Sequence, residues 1–132
     1  DYSKDEFVWP VTGKVLKYYR EKSGMNTNRG IQIQASQGEN VMATKAGRVV
    51  FADYIPGYGQ TVILDHLDGF HSIYSQNANI LAKVGAQVAK GDVISQVGIQ
   101  NNQQIAYLYF EIRKNTIDDN PLYYLPRPKR AQ

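Results

Sequence analysis

The sequence predicts an all-β domain with antiparallel strands, and three observations support this prediction. Apolar and polar residues alternate along most of the chain, as they do in strands that bury one face. No apolar repeat of helical period is sustained for the length of a helix. The pair Asp68-Gly69 lies between two apolar runs, where glycine supplies the positive φ that a tight hairpin turn requires.

The predicted elements follow one another along nearly the whole chain. The segment VLKYYREK (15–22) is the only helical candidate. A faint repeat, in which Gly38-x-x-Val41 is echoed by Gly85-x-x-Val88, indicates two similar β units. The expected strands are GIQIQA (30–35), GRVVFADY (47–54), QTVILDH (60–66), HSIYSQ (71–76), AQVAKGDVISQVG (86–98) and IAYLYFEIR (105–113).

Length and charge restrict the class of protein. At 132 residues the chain is one domain that is large enough to fold without stabilising cross-links. Its lack of cysteine excludes disulfides and thiolate metal sites. The net charge of +3 and the scattered basic residues argue against a dedicated nucleic-acid binder. No apolar run approaches the roughly 18 residues of a membrane span. Because the sequence begins with Asp1 rather than Met, we expect a domain of a longer protein.

The strand AYLYFEIRK (106–114) has one apolar and one polar face. Its alternate apolar residues must face the core, so the other face points to solvent, a cleft or a partner. Ten tyrosines in a chain with four phenylalanines suggest that several phenols are displayed at a binding surface. The polar face of this strand consists of Tyr107, Tyr109, Glu111 and Arg113.

The order of several segments resembles the lysostaphin-like, or LytM-type, zinc endopeptidase domain of cell-wall hydrolases. This resemblance implies an antiparallel β-sheet or sandwich of the duplicated hybrid motif type, with an open groove. It implies a domain at residues 9–125, an N-terminal extension at 1–8 and a basic C-terminal tail at 126–132, with both ends solvated. The segments are WPVTGKV (9–15), NRGIQIQASQGENVMATKAGRVVFAD (28–53), GYGQTVILDHLDGFHSIYSQ (57–76), VGAQVAKGDVISQVG (84–98) and YLYFEIRKNTIDDNPLYYL (107–125).

The resemblance also marks the positions of a zinc site. In active members, a His, an Asp four residues later and the second His of a His-x-His pair hold zinc. The first His of that pair and a His in a Tyr-x-His motif serve the catalytic water. An open zinc site needs about three such ligands and a position for water. The corresponding residues here are Asn28, Gln32, Tyr109, Tyr107 and Gln76.

These replacements are poor zinc ligands. The amides are neutral, and a phenol with a pKa near about 10 must lose its proton before it binds zinc well. The resemblance therefore implies a degenerate domain with no metal, no cofactor and no peptidase activity. The segment DHLDGFH (65–71) could form another metal site through Asp65, His66, Asp68 and His71, but a purely structural role of these residues is preferred.

The emptied zinc positions should face a cleft rich in tyrosine and arginine, which suits a protein ligand. Any one of these residues could instead have a purely structural role, such as Tyr74 in the core or Arg113 on a solvated face. The predicted partner-binding residues are Arg29, Gln32, Tyr58, Thr61, Tyr74, Tyr109 and Arg113.

Among degenerate LytM domains, the sequence is most similar in character to the EnvC and NlpD type, through LYFEIR and NPLYYLPR. This similarity implies an activator without enzymatic activity. Such a domain binds a zinc-dependent N-acetylmuramoyl-L-alanine amidase at the septum, in the periplasm of a Gram-negative bacterium. Relief of amidase autoinhibition then lets peptidoglycan be split during daughter-cell separation. A non-hydrolytic peptidoglycan-binding module and a scaffold in an envelope-spanning complex are the alternatives.

Overall fold

The computed structural model describes residues 6–99 and 105–127. Within these residues it contains twelve β-strands and one short 3-10 helix at Pro121–Tyr123. No helix in this part of the chain is long and apolar enough to cross a membrane. The strands are β1 (Val15–Lys17), β2 (Lys22–Ser23), β3 (Asn26–Thr27), β4 (Ile31–Ala35), β5 (Asn40–Met42), β6 (Gly47–Ile55), β7 (Gly59–Asp65), β8 (Phe70–Ile80), β9 (Gln87–Val88), β10 (Val93–Val97), β11 (Ala106–Lys114) and β12 (Ile117–Asp119).

Ten of these strands form one sheet, in which seven follow the order β1-β4-β11-β8-β7-β6-β9. Strand β10 pairs with β5 and β8, β12 pairs with β11, and β2 and β3 form a separate hairpin. The pairings between the strands are antiparallel, which confirms the predicted all-β antiparallel class. Strand β11 lies between β4 and β8, so its polar face occupies the middle of the sheet.

The hydrophobic core lies against the other face of β11. Leu108, Phe110 and Ile112 are each 0% exposed, which confirms the predicted apolar face. The hairpin predicted at Asp68-Gly69 joins β7 to β8, and Gly69 has a φ of 94° there. Together with apolar residues of β4, β6, β7 and β10, these side chains form one contiguous core.

Two expectations about the first part of the chain are wrong. The helical candidate at 15–22 is instead strand β1 followed by a turn into β2, because pairing of Val15 with Ile33 of β4 overrides a weak local pattern. Arg20 in this turn has a φ of 70°, which a right-handed helix does not allow. The N-terminal stretch is not wholly solvated either, since Phe7 is 0% exposed and packs against Phe70.

The predicted strand at 86–98 is two strands. A turn with Gly91 at a φ of 89° separates β9 from β10. The proposed domain limits at residues 9 and 125 stay a prediction, although Trp9 donates its indole N–H to the carbonyl of Pro126 at 2.7 Å. That bond joins the first residue of the predicted domain to the first residue of the predicted tail. Residues 1–5 and 128–132 of the predicted extension and tail lie outside the described residues.

Candidate functional site

An open cleft of about 760 Å³ lies across the middle of the sheet. It brings together Asn28, Gln32, Gln76, Tyr107 and Tyr109, the five residues that the resemblance predicts at zinc and catalytic positions. It also contains four of the predicted partner-binding residues. The cleft, called the groove below, is lined by Met25, Asn26, Thr27, Asn28, Arg29, Gln32, Gly57, Tyr58, Gln76, Tyr107 and Tyr109.

Three separate parts of the fold build the groove. Gln32 of β4 and Tyr109 of β11 are directly opposite each other in the sheet, so both side chains point to the same face. The turn between β6 and β7 places Tyr58 beside Tyr109, with their rings at an edge-to-face angle and their centroids 5.6 Å apart. The β2–β3 hairpin forms another rim and carries Met25 at its tip.

The backbone fixes Asn28 and Gln76 in the groove. The side-chain amide of Asn28 donates to the carbonyls of Tyr18, at 3.1 Å, and Gly30, at 2.8 Å. Gln76 has a φ of 69°, an unfavourable value for a residue other than glycine. Its backbone N–H donates to the carbonyl of Tyr58 at 3.0 Å, which holds this irregular part of β8 against the β6–β7 turn.

A buried carboxylate lies next to the groove. Glu111 is 0% exposed, although strand alternation places it on the polar face. The hydroxyl of Tyr109 donates to its Oε2 at 2.6 Å, and Nε of Arg113 donates to its Oε1 at 2.9 Å. Burial and the charge of Glu111 raise the pKa of Tyr109 above its ordinary value. These three residues, called the groove network, present a protonated phenol to the cleft.

Three predicted groove residues, Thr61, Tyr74 and Arg113, do not line the groove. Thr61 and Tyr74 are both 0% exposed, so the prediction that they line the groove is wrong. The hydroxyl of Thr61 lies 2.9 Å from that of Ser75, beneath the floor of the groove. Tyr74 points into the core, since it pairs with Phe110 on the apolar face of β11. Arg113 does not line the groove and meets it through Glu111.

A second buried set of polar side chains surrounds Tyr74. Its hydroxyl accepts the backbone N–H of Thr44 at 2.9 Å and is hydrogen-bonded to the hydroxyl of Ser72 at 2.7 Å. Ser72 in turn lies 2.8 Å from Nε2 of His66, whose Nδ1 donates to the carbonyl of Ala46 at 2.7 Å. Burial lowers the pKa of His66, which favours the neutral ring. We call His66, Ser72, Tyr74 and Thr44 the core network.

The candidate metal cluster at 65–71 has structural roles in this arrangement. His66 uses both ring nitrogens in the core network, and Asp68 accepts the backbone N–H of Phe70 and pairs with Lys45. Nε2 of His71 lies 3.8 Å from Oδ2 of Asp65. Within residues 6–99 and 105–127, no three His, Cys, Asp or Glu side chains are grouped as a metal site would require. The structural interpretation therefore agrees with the observed contacts.

The residues of the groove do not fit zinc. Asn28 already uses its amide N–H groups on two backbone carbonyls. Burial raises the pKa of Tyr107, and burial together with Glu111 raises that of Tyr109, so both phenols resist the deprotonation that zinc ligation needs. The carboxylate of Glu111 is buried, and it accepts hydrogen bonds from Tyr109 and Arg113. This donor set offers binding contacts rather than a Lewis-acid centre.

Sequence reasoning missed two features of the site. The sequence places Glu111 on the polar face of β11 but does not predict its burial, which depends on the tertiary packing of neighbouring side chains. The rim formed by Met25, Asn26 and Thr27 was not identified, because two-residue strands carry almost no periodic signal. Gly24 beside Met25, with a φ of 63°, was the available turn signal.

The fold is that of a known class of protein. Residues 26–121 match the model of Peptidase family M23, and the chain belongs to this family. Its fold aligns with the antimicrobial peptidase lysostaphin from Staphylococcus simulans at a TM-score of 0.75 and 24% identity, over 86% of this chain and 49% of that one. The predicted lysostaphin-like fold is thereby confirmed.

Two curated relatives carry the name of activators. The chain is 41% identical over 125 residues to the murein hydrolase activator EnvC of Escherichia coli K12, covering 94% of this chain and 30% of EnvC. It is 37% identical over 120 residues to the murein hydrolase activator NlpD of Salmonella dublin, covering 90% of this chain and 31% of NlpD. The predicted similarity to the EnvC and NlpD type is confirmed. The chain spans about a third of the length of these relatives.

Proposed function

We propose that this domain is a non-catalytic activator that binds a zinc-dependent N-acetylmuramoyl-L-alanine amidase through the groove. The observation that carries the proposal is the convergence of Asn28, Gln32, Gln76, Tyr107 and Tyr109 on one open cleft. The names of the EnvC and NlpD relatives support activation of a murein hydrolase as its purpose. We place the domain at the septum, in the periplasm of a Gram-negative bacterium.

Activation of this kind is a shift in population. An amidase that is closed by its own regulatory segment opens only to the extent that the activator binds the open state better than the closed state. The groove provides tyrosine rings and an arginine, which give large contact areas with polar ends and often dominate binding energy. The domain then contributes binding energy, while the amidase contributes zinc and hydrolysis.

The test combines the domain with amidases of the same organism and follows dye release from labelled peptidoglycan. We expect dye release only when both proteins are present. Gln32→Trp should fill the groove and remove stimulation, because Gln32 lies half-buried on its wall. Gln87→Trp in β9, at the far edge of the sheet, is the matched control and should stimulate normally. Normal stimulation by Gln32→Trp would show that the groove is not the binding site.

The absence of catalysis is tested separately by zinc content. After saturation with zinc and removal of the excess, the wild-type domain should retain far less than one zinc by mass spectrometry. The variant Asn28→His/Gln32→Asp/Tyr109→His restores the family's ligand types and should gain zinc. A wild-type domain that holds one zinc and cleaves a cross-bridge peptide would contradict the proposal.

A further inference from the structure

The two rims of the groove differ in charge. The rim from Lys22 to Arg29, which contains the β2–β3 hairpin, has two cations and no carboxylate in its sequence KSGMNTNR. The opposite segment, from Asp53 to Gln60, reads DYIPGYGQ and has one carboxylate and no cation. Among the described residues that line the groove, Arg29 is the only charged side chain.

A third cation reinforces the hairpin rim. Lys17 of β1 is directly opposite Gln32 of β4, so its side chain lies on the groove face of the sheet. Its ammonium donates to the hydroxyl of Ser23 at 3.0 Å, which ties it to the hairpin. The carboxylate of Glu21, on the same side, accepts the backbone N–H of Tyr18 at 3.0 Å. Lys17 therefore adds a third cation to the rim that contains Lys22 and Arg29.

An apolar contact point lies on the same rim. Met25 is fully exposed, with a relative accessibility of 101%, and it lines the groove together with Tyr58 on the opposite turn. A lone exposed apolar side chain needs no explanation, but one placed at the mouth of a polar cleft adds binding area where a ligand would lie. The flexible thioether of methionine adapts to apolar surfaces of varied shape.

We propose that the groove takes an acidic polypeptide segment, with carboxylates on the rim from Lys22 to Arg29 and an apolar side chain against Met25. This inference rests on the proposed function and specifies the part of the amidase that is recognised. Attraction of its carboxylates to Lys22 and Arg29 sets the direction in which the segment lies, because the turn that carries Gly57 and Tyr58 on the opposite rim contributes no cation. An apolar contact beside the cations favours a polypeptide over a glycan strand.

The inference is tested by measuring the Kd of the domain for the amidase at several salt concentrations. The reversal Lys22→Glu/Arg29→Glu should raise the Kd by about tenfold or more, and it should reduce the dependence on salt. Arg48→Glu/Lys83→Glu is the matched control, since both exposed residues lie beside β9 at the far edge of the sheet. The control should leave the Kd within about twofold.

The apolar contact has its own pair of variants. Met25→Ser should raise the Kd by about fivefold, whereas Met25→Leu should keep it within about twofold, because leucine preserves the apolar volume. Neither change affects folding, since the side chain is fully exposed.

The outcomes separate this inference from the proposed function. If the wild-type domain binds and stimulates the amidase while the charge reversal and Met25→Ser leave the Kd unchanged, the inference is overturned and the proposed function stands. If the wild-type domain binds no amidase, both are overturned. Retention on purified sacculi without amidase, abolished by the same reversal, would identify a peptidoglycan stem peptide as the occupant and also overturn the inference.

Discussion

The core network, which includes Ser72 and Tyr74 of β8, and the groove network of β11 lie on opposite faces of the sheet, and they differ in charge. The core network ends on backbone groups at Thr44 and Ala46, and burial keeps His66 neutral. The groove network contains an ion pair between Glu111 and Arg113, and one of its members, Tyr109, lines the cleft. The core network is therefore hydrogen-bonded within the protein, whereas the groove network reaches a surface that is accessible to a partner.

The difference separates a structural role from a binding role. A neutral network with every group hydrogen-bonded adds rigidity and fixes one arrangement of the core. A buried ion pair is seldom more stable than apolar residues of the same shape, because removing its charges from water is costly. We therefore interpret the ion pair as a device that orients Tyr109 toward the groove rather than as a source of stability.

The largest effect is expected when the ion pair loses its acid. Glu111→Ala leaves the guanidinium of Arg113 and the hydroxyl of Tyr109 without their acceptor, and it should lower the free energy of unfolding by about 3 kcal/mol. Urea denaturation measures this loss. The control Asp53→Ala removes an exposed carboxylate and should cost less than about 0.5 kcal/mol. Equal urea midpoints for the two variants would refute the role given to Glu111.

The next effect concerns the core network. Tyr74→Phe removes the hydroxyl that accepts the backbone N–H of Thr44, and the unsatisfied buried groups should cost about 2 kcal/mol of stability. Amidase stimulation at a temperature where the variant is folded should stay at the wild-type level. Tyr123→Phe, at an exposed tyrosine, is the control for stability. Loss of stimulation in folded Tyr74→Phe would mean that the two networks are not functionally separate.

A smaller effect is a dependence of stability on pH. Because burial lowers the pKa of His66 in the folded protein, the unfolded chain binds a proton first as the pH falls below about 6.5. Stability should therefore decrease by about 1 kcal/mol between pH 7.5 and 5.5. His66→Gln should flatten this slope in urea titrations at several pH values. An unchanged slope in His66→Gln would assign the titration to another group.

The smallest stability effect is expected for Arg113→Lys. Because lysine keeps the positive charge near Glu111, the free energy of unfolding should change by only about 0.5 kcal/mol. Lysine lacks the planar guanidinium that donates through Nε, so the orientation of Glu111 is no longer fixed. Amidase stimulation should decrease by a larger factor than stability, since Glu111, which accepts the hydroxyl of Tyr109, loses its fixed partner. If stimulation is retained in full, orientation of the groove network is unnecessary for activity.

Local pattern predicted much of the fold. The alternation in β11 identified Leu108, Phe110 and Ile112 as core, and Asp68-Gly69 identified the β7–β8 hairpin. These features depend on neighbours in sequence. The short β1, however, is fixed by its pairing with β4, so eight residues of ambiguous spacing were wrongly predicted as a helix.

The site was predicted less completely, for reasons of register. Tyr74 is a core residue because it pairs with Phe110, and a sequence without its strand register does not reveal that pairing. An irregularity between Gln60 and Val62 likewise disturbs the counting of faces near Thr61. Glu111 follows the alternation but is covered by other side chains, which only the folded structure reveals.

The aromatic packing around Phe7 has a practical consequence for anyone who trims this chain. Phe7 lies 5.5 Å from Phe70 and 5.5 Å from Tyr124, measured between ring centroids, and the ammonium of Lys45 lies 5.0 Å from its ring. A fragment that starts at Trp9, where the recognisable motifs begin, would lack Phe7 and leave a cavity beside Phe70 and Tyr124. A truncated version of this domain should therefore begin before Phe7.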